Sequence, residues 1–311
     1  MGRILIFLIA ATIMTACGNR NTKAGKPMSV GEPYEVTIIA EDNNLAALTK
    51  RMLTDTREPM PQPECLYNVR TMKSINDVTK FMRILVVVRK NRTETRVRYE
   101  YDPYSRQQLM ILIDVESSKR LKEDSLNVAH TLQNTIELFE MKNAARQAHN
   151  NSNLTLAKEI EKTTGCHIDI PNDFKASKTG KKFVWVSDNG TKTMCNICVY
   201  TVDGIYNSTE NIIRIRDSVM AENIKGEKDG MVMTTERKAD ISTNNNGHAT
   251  TIRGLWQMTG DAMGGPFISV TKTDSIRQRT ITAEAFIYAP SEPKAKAMKR
   301  LEAILNTLRV D

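Results

Sequence analysis

The chain has 311 residues, of which 40% are hydrophobic and 26% charged, and its formal net charge is +8 at pH 7. This apolar content suits a folded body with one large core or two smaller ones. Its 44 basic residues are scattered among 36 acidic ones, with no basic run interleaved with aromatic residues, so the composition predicts no nucleic-acid partner.

The N-terminal stretch has the pattern of an export signal that ends at a lipidated cysteine. Arg3 precedes Ile4–Met14, a run of apolar or small residues that is shorter than the about 20 residues of a membrane span. Met14-Thr15-Ala16-Cys17 resembles the lipobox of bacterial lipoproteins, in which the cysteine is acylated and becomes the first mature residue. We therefore expect residues 1–16 to be a signal peptide and Cys17 to anchor the mature chain in an envelope membrane. The alternative is an ordinary signal peptide followed by a chance cysteine.

Residues 17–32 are predicted to be a flexible tether. They are rich in Gly, Asn, Lys and Pro, show no apolar periodicity, and have an r.m.s. reach of about 20 Å. Gly18 is not the aspartate that retains lipoproteins in the inner membrane, and no acidic run typical of surface-exposed lipoproteins follows Cys17. By analogy with these sorting signals, we predict the periplasmic face of the outer membrane.

Residues 33–150 are predicted to form an N-terminal α+β domain. In chain order, the pattern predicts a strand at Pro33–Ala40, a helix capped by Asp42, a loop or extended edge at Glu58–Thr71, a short helix from Ser74 to about Met82, strands at Ile84–Arg89, Thr95–Asp102 and Gln108–Val115, and a long helix from Ser118 to about Ala148. The first of the three consecutive strands is apolar throughout and is expected at the centre of a sheet, whereas the second alternates and is expected to have one solvated face.

Residues 151–311 are predicted to form a second, β-rich α+β domain, because Asn150–Asn153 interrupts the helical pattern. The predicted elements are a helix at Leu154–Thr164, strands at Phe183–Ser187 and Met194–Val202 around an Asp188-Asn189-Gly190 hairpin turn, a helix from Ser208 to Gly226, strands at Gly230–Arg237, Ala249–Met258, Phe267–Thr273 and Thr280–Tyr288, and a closing helix from about Pro293 to Leu308. Strands run in blocks between separate helices, so the predicted class is α+β, with mostly antiparallel sheets, segregated helices and two halves of similar size.

Several runs resemble an uncharacterised lipoprotein family, domain of unknown function 4837. They are Thr251–Ser269 (TIRGLWQMTGDAMGGPFIS), Asp229–Glu236 and Glu284–Pro290, with Tyr34-Glu-Val and Met60–Glu64 in the first half. The resemblance implies an envelope lipoprotein with an α+β body and no assigned activity, and it supplies no catalytic residues.

The cysteines beyond Cys17 do not predict redox or metal chemistry. Cys195 and Cys198 are spaced as in a redox pair, but they fall in a predicted strand, where their side chains point to opposite faces and their Cα atoms lie about 10 Å apart. A disulfide needs Cα atoms closer than about 7 Å. Buried thiols, or one bridge from Cys166 to either partner, remain the two interpretations; the state of Cys65 is open.

A candidate partner-binding surface lies in the family signature. Trp256 alternates with apolar residues and is expected in the core, which puts Arg253 and Gln257 on the opposite face, with Asp261 in the turn that follows. Gly264 and Gly265 are expected to form that turn with positive φ. A phosphate loop is not predicted, because Pro266 and a strand follow where such a loop would open a helix.

No residue pattern predicts a catalytic centre, a cofactor or a metal site. We therefore expect a lipid-anchored, non-catalytic binding or structural module with an envelope protein, glycan or lipid as its partner. The alternative is an envelope hydrolase or transferase that uses clustered carboxylates such as Glu236, Asp261 or Glu284.

Overall fold

The computed structural model describes residues 25–54, 60–91 and 94–310, so the predicted signal peptide and Cys17 lie outside the described part of the chain. The helices are α1 (Asn43–Arg51), α2 (Ser118–Glu123), α3 (Ser125–Asn150), α4 (Leu154–Thr164), α5 (Thr209–Asn223) and α6 (Ala295–Leu305). The strands are β1 (Glu35–Ile39), β2 (Asn68–Met72), β3 (Ile84–Lys90), β4 (Arg96–Tyr101), β5 (Leu109–Val115), β6 (Cys166–His167), β7 (Ala176–Gly180), β8 (Phe183–Ser187), β9 (Met194–Asp203), β10 (Met233–Thr235), β11 (Ser242–Asn245), β12 (Thr250–Met258), β13 (Gly264–Asp274), β14 (Arg279–Tyr288) and β15 (Arg309–Val310). Most strand pairs are antiparallel and the helices are segregated from the sheets, which confirms the predicted α+β class.

The first half is a five-stranded sheet in the order β2-β1-β3-β5-β4. The pairs β1–β2, β1–β3 and β3–β5 are parallel, and β4 adds an antiparallel edge. One face packs against α1, α2 and α3 through a continuous apolar core. As predicted, the apolar β3 is central. The alternating β4 was expected to have one solvated face, but it is an edge strand with exposed residues on both faces, including Tyr99 and Tyr101.

Three predictions for this half need correction. The helix expected from Ser74 to about Met82 is a single 3₁₀ turn at Thr79–Phe81, because the Asn76 side chain accepts hydrogen bonds from the next backbone N–H groups and favours a turn. The long helix breaks at Asp124 into α2 and α3. The predicted tether is bound to the fold at its end, since residues 27–30 hydrogen-bond to the chain near Arg106 and Phe81.

The second half is an antiparallel sheet in the order β10-β12-β13-β14-β9-β8-β7, with β11 also paired to β12. Both faces are covered. One packs against α4 and α6, and the other packs against α5 around an aromatic cluster. The alternation along β14 therefore divides buried side chains between two cores, whereas β12 alternates between buried residues on the α5 side and half-buried residues on the opposite face.

The turn between β8 and β9 differs from the prediction. The Asp188-Asn189-Gly190 segment belongs to a six-residue connection between β8 and β9, not a two-residue turn. Asn189 has positive φ, but the connection is closed by Asp188, whose carboxylate accepts hydrogen bonds from the backbone N–H groups of Gly190 and Cys195. An Asx-type turn thus replaces the expected hairpin.

Helices α3 and α6 pack on each other and join the two halves. Within the first half, Arg83 fixes α3 to the start of β3 by donating to the Glu140 carboxylate through Nε at 2.8 Å and Nη2 at 2.6 Å, and both side chains are buried. Lys299 of α6 lies 3.1 Å from Glu137 of α3. Among the described helices, none combines the length and the apolar content needed to cross a bilayer.

Candidate functional site

The predicted partner surface does not form one compact site. Arg253 and Gln257 share a face of β12, about 13 Å apart at the usual strand rise, and Asp261 is exposed in the following turn. Arg253 forms a largely buried ion pair with Glu302 of α6. The Arg253 side chain therefore links β12 to α6 through this ion pair. Partner binding at this surface stays a prediction.

Gly264 and Gly265 do not form the turn that the sequence predicts. Gly264 and Gly265 lie inside β13 without positive φ, whereas Gly260 makes the turn with φ 78°. A Cβ on Gly265 would overlap the carbonyl oxygen of Ile287 and lie 3.1 Å from Nε1 of Trp256. The absence of a side chain lets the Trp256 indole cross β13 and donate to the Ile287 oxygen on β14, at 3.1 Å. Trp256 is 2% exposed, which confirms its predicted place in the core.

The carboxylates of the enzymatic alternative have different environments. Glu284 is fully buried and accepts hydrogen bonds from Nε and Nη2 of Arg216 at 2.8–3.0 Å. Burial raises the pKa of Glu284, while the charge of Arg216 opposes this shift. Glu236 is partly exposed and Asp261 is exposed. Glu284 is thus committed to a core ion pair and does not face a reactant.

The paired cysteine spacing is structural. Cys195 lies in the core under α4 and α6, and Cys198 lies in the core on the α5 side, so the two side chains point to opposite faces of β9 as predicted. Both are thiols, which means that neither is bridged to the other or to Cys166. Burial raises the pKa of Cys195 to about 12 and that of Cys198 well above its ordinary value.

A solvent-open crevice of about 700 Å³ lies at the carboxyl ends of β1, β2 and β3. Its lining comes from the end of β1 and the residues after it, the residues after β2, and the last four residues of β3: Ile39, Ala40, Glu41, Asp42, Leu45, Lys73, Ser74, Ile75, Val87, Val88, Arg89 and Lys90. In the strand order, β2 lies on one flank of the β1–β3 pair and β4 lies on the other, so the chain continues from β1 and from β3 in opposite directions along the sheet. This is a topological switch point, where parallel sheets open a crevice suited to ligands.

The charges of the crevice are only partly neutralised within the fold. Asp42 caps α1 and lies 2.5 Å from Nζ of Lys90, and these contacts hold the pKa of its carboxyl below the ordinary value. Arg89 turns away to the buried Asp114, whose pKa is lowered by Arg98 and Arg89 despite burial. Glu41 and Lys73 remain exposed at the rim, and among the described residues neither has a salt-bridge partner.

Sequence reasoning identified Asp42 as a helix cap but did not find the crevice. Its lining comes from three strands spread over about fifty residues, and only their parallel order brings the segments together. The signal that could have found it was the helix between β1 and β2, which is the usual connection of parallel strands.

A second cavity, of about 360 Å³, lies where α3 and α6 meet. Tyr34, Arg83 and Glu140 line it, and Arg83 and Glu140 are paired with each other. Burial raises the pKa of the Tyr34 hydroxyl. This cavity is best explained as part of the contact between the halves.

Family comparisons divide the chain at the end of α3. Residues 153–307 match the family described as Domain of unknown function (DUF4837). The chain belongs to the DUF4837 family. The match is confined to the C-terminal half, whereas the sequence resemblance extended over nearly the whole mature chain; residues 29–149 match a different family, Domain of unknown function (DUF8532). No curated protein matches the chain.

Solved structures show partial likeness. A Mog1 point mutant is 9% identical with a TM-score of 0.33, covering 47% of this chain and 90% of that chain. The Saccharomyces cerevisiae Ran-binding protein Mog1p is 9% identical with a TM-score of 0.34, covering 47% and 89%. The human StarD13 lipid transfer and protein localization domain is 9% identical with a TM-score of 0.19, covering 50% and 94%. At these scores the likeness carries no functional argument.

Proposed function

We propose that this protein is a lipid-anchored, non-catalytic binding module on the periplasmic face of the outer membrane. The anchor is Cys17, and the binding site is the crevice at the carboxyl ends of β1, β2 and β3. The crevice is the observation that carries the proposal, because it combines a ligand-sized volume of about 700 Å³ with charged side chains that are not used by the fold.

The chemistry of the crevice favours a small polar ligand that bears both a negative and a positive or hydrogen-bond-donating group. Lys73 can bind a carboxylate or phosphate oxygen, and Glu41 can accept from an ammonium or hydroxyl group. The adjacent Ser74 hydroxyl adds one donor and two acceptor lone pairs. Ile39, Leu45 and Val87 provide an apolar floor, which is the usual composition of a small-molecule site.

A binding function fits the chemistry better than the enzymatic alternative. The crevice offers a lysine, a serine and carboxylates at its rim, but the carboxylate Asp42 is held by Lys90 and by the start of α1. Glu284, the buried carboxylate of the alternative, is held by Arg216. The groups available to a ligand are thus suited to recognition by charge and hydrogen bonding.

The test is a thermal-unfolding screen of the mature chain against amino acids, dicarboxylates, nucleotides and sugar phosphates. A ligand present at 100 times its Kd stabilises the fold by about 2.7 kcal/mol, which is readily measured. The rise in Tm should be lost in Lys73→Ser and in Glu41→Gln, and should persist in Lys158→Ser, an exposed lysine of α4. If every compound leaves Tm unchanged, or if the rise persists in both crevice variants, the crevice is not the binding site.

A further inference from the structure

The chain enters the fold beside the β4–β5 connection. Nζ of Lys26 donates to the Asp102 carbonyl oxygen at 2.5 Å, and the Arg106 backbone N–H donates to the Pro27 carbonyl oxygen at 2.7 Å. Eight peptide steps separate Gly25 from Cys17. Such a segment spans at most about 28 Å. An anchor at Cys17 therefore holds this end of the molecule close to the bilayer.

The surface at this entry point is aromatic. Tyr99, Tyr101 and Tyr104 are 56%, 49% and 40% exposed. The rings of Tyr99 and Tyr101 meet edge to face with centroids 5.6 Å apart, and Tyr101 stacks on Phe139 of α3 at 6.2 Å. These contacts hold large, half-exposed rings in place on an edge strand. Tyrosine is enriched where proteins meet the headgroup region of a membrane.

Basic and apolar side chains flank the tyrosines. Lys26 and Arg106 are exposed, and Met28 is 46% exposed next to them. The acidic Glu100 lies on the face of β4 opposite to Tyr99 and Tyr101, because strand side chains alternate. The surface therefore presents positive charge and amphipathic rings together, which is the combination that binds an anionic headgroup layer.

We propose that these residues form a membrane-facing surface that rests on the headgroup layer of the bilayer. We name this surface the aromatic edge, and it consists of Lys26, Met28, Tyr99, Tyr101, Tyr104 and Arg106. The proposal deepens the proposed function, since it rests on an anchor at Cys17 and adds a fixed orientation. The occupant is a phospholipid surface with anionic headgroups: the tether is short, it ends at this surface, and the flanking charge is positive.

The test imposes the anchor chemically, so that it does not depend on lipidation in the cell. The mature chain from Cys17 to Asp311 carries Cys65→Ser, which leaves Cys17 as the accessible thiol because Cys166, Cys195 and Cys198 are buried. Cys17 is coupled to a maleimide lipid in vesicles of phosphatidylethanolamine and phosphatidylglycerol. Some vesicles contain lipids brominated near the headgroup, which quench tryptophan on contact.

The reporter is a tryptophan placed in the aromatic edge. Tyr104→Trp should be quenched at least twofold more than Ile276→Trp, after the signal of the native tryptophans, measured on the parent chain, is subtracted. Ile276 is the matched control because it is 94% exposed and lies between β13 and β14 in the other half. Equal quenching at both positions would show a domain without preferred orientation and would overturn the proposal.

Charge-reversal variants distinguish binding through the aromatic edge from a general electrostatic attraction of the chain to anionic lipid. In the Tyr104→Trp chain, Lys26→Glu with Arg106→Glu should reduce quenching at least twofold, whereas Lys158→Glu with Lys162→Glu on α4 should not. Equal loss with both pairs would overturn the role of the aromatic edge. Fractionation of native Cys17→Ala cells decides separately whether the chain is lipidated, so failure of the anchor and failure of the membrane-facing surface are distinguishable.

Discussion

Gly265→Ala should destabilise the C-terminal half strongly, although alanine adds a single methyl group. The new Cβ would overlap the Ile287 carbonyl oxygen, which belongs to the backbone of the neighbouring strand β14 and cannot rotate away. The same carbonyl accepts the hydrogen bond of the buried Trp256 indole. Relief of the overlap requires β13 to move away from β14 or the indole to leave its place.

The magnitude follows from these two contacts. Overpacking of a tight interior costs about 1–3 kcal/mol, and loss of the indole hydrogen bond costs about 1 kcal/mol more. We expect a loss of about 2–4 kcal/mol in the free energy of unfolding. For a domain the size of the C-terminal half, each kcal/mol shifts Tm by about 2–4 °C, so Tm should fall by about 5–15 °C.

The assay is thermal unfolding followed by tryptophan fluorescence, which also reports on the surroundings of Trp256. Gly247→Ala is the matched control: Gly247 has φ 82°, and a Cβ there would meet no atom within 4 Å. It should cost only the about 1–2 kcal/mol of a left-handed conformation and leave the emission spectrum unchanged. If Gly265→Ala lowers Tm no more than Gly247→Ala and does not shift the emission, the close approach of the strands is not limiting and the reasoning is wrong.

Three further predictions concern the anchor, acid stability and thiol reactivity. Cys17→Ala should release the protein from outer-membrane fractions or leave it unprocessed; unchanged processing and membrane association would contradict lipidation. The backbone N–H of Arg277 and the two nearby guanidinium groups lower the pKa of Asp274 to about 2. The stabilisation by its charge is therefore complete above the unfolded pKa of about 4 and is lost as the pH falls through 2. Asp274→Asn should make the urea-unfolding midpoint depend less on pH between about 4 and 2, and an unchanged pH dependence would refute the assignment. When the folded mature chain is reduced and alkylated, Cys65 should be modified but Cys195 and Cys198 should not, because burial keeps both thiols protonated. In a separate peptide map made without reduction, a Cys195–Cys198 disulfide would contradict the structure.

The sequence was sufficient for features that depend on local periodicity. The alternation along β12 correctly separated the buried Trp256 from Arg253, and the Ser208 and Asp42 caps begin α5 and α1 as expected. Periodicity does not show what covers the second face of a strand. Arg253 was expected on a solvated surface, but α6, some fifty residues later, supplies Glu302 as its partner.

The candidate site could not be predicted for a related reason. The crevice depends on which strands are neighbours, and β3 pairs with β1 only after the chain has passed through β2 on the far side. The glycines show the same limit: a glycine pair suggests a turn from local chemistry, yet Gly265 is required by the approach of two strands and an indole ring. Contacts between distant segments, rather than local propensity, determine both features.

The two proposed surfaces lie at opposite ends of the first sheet, and this has a functional consequence. Tyr101 is opposite Leu109, which pairs with Ile84 at the start of β3, so the aromatic edge lies at the amino ends of the parallel strands. The crevice lies at their carboxyl ends, where β3 finishes at Lys90. Seven residues of strand separate the two ends by about 20 Å. If the chain rests on the bilayer through the aromatic edge, as we propose, its crevice opens away from the membrane, where a soluble ligand would reach Lys73 without competition from lipid headgroups.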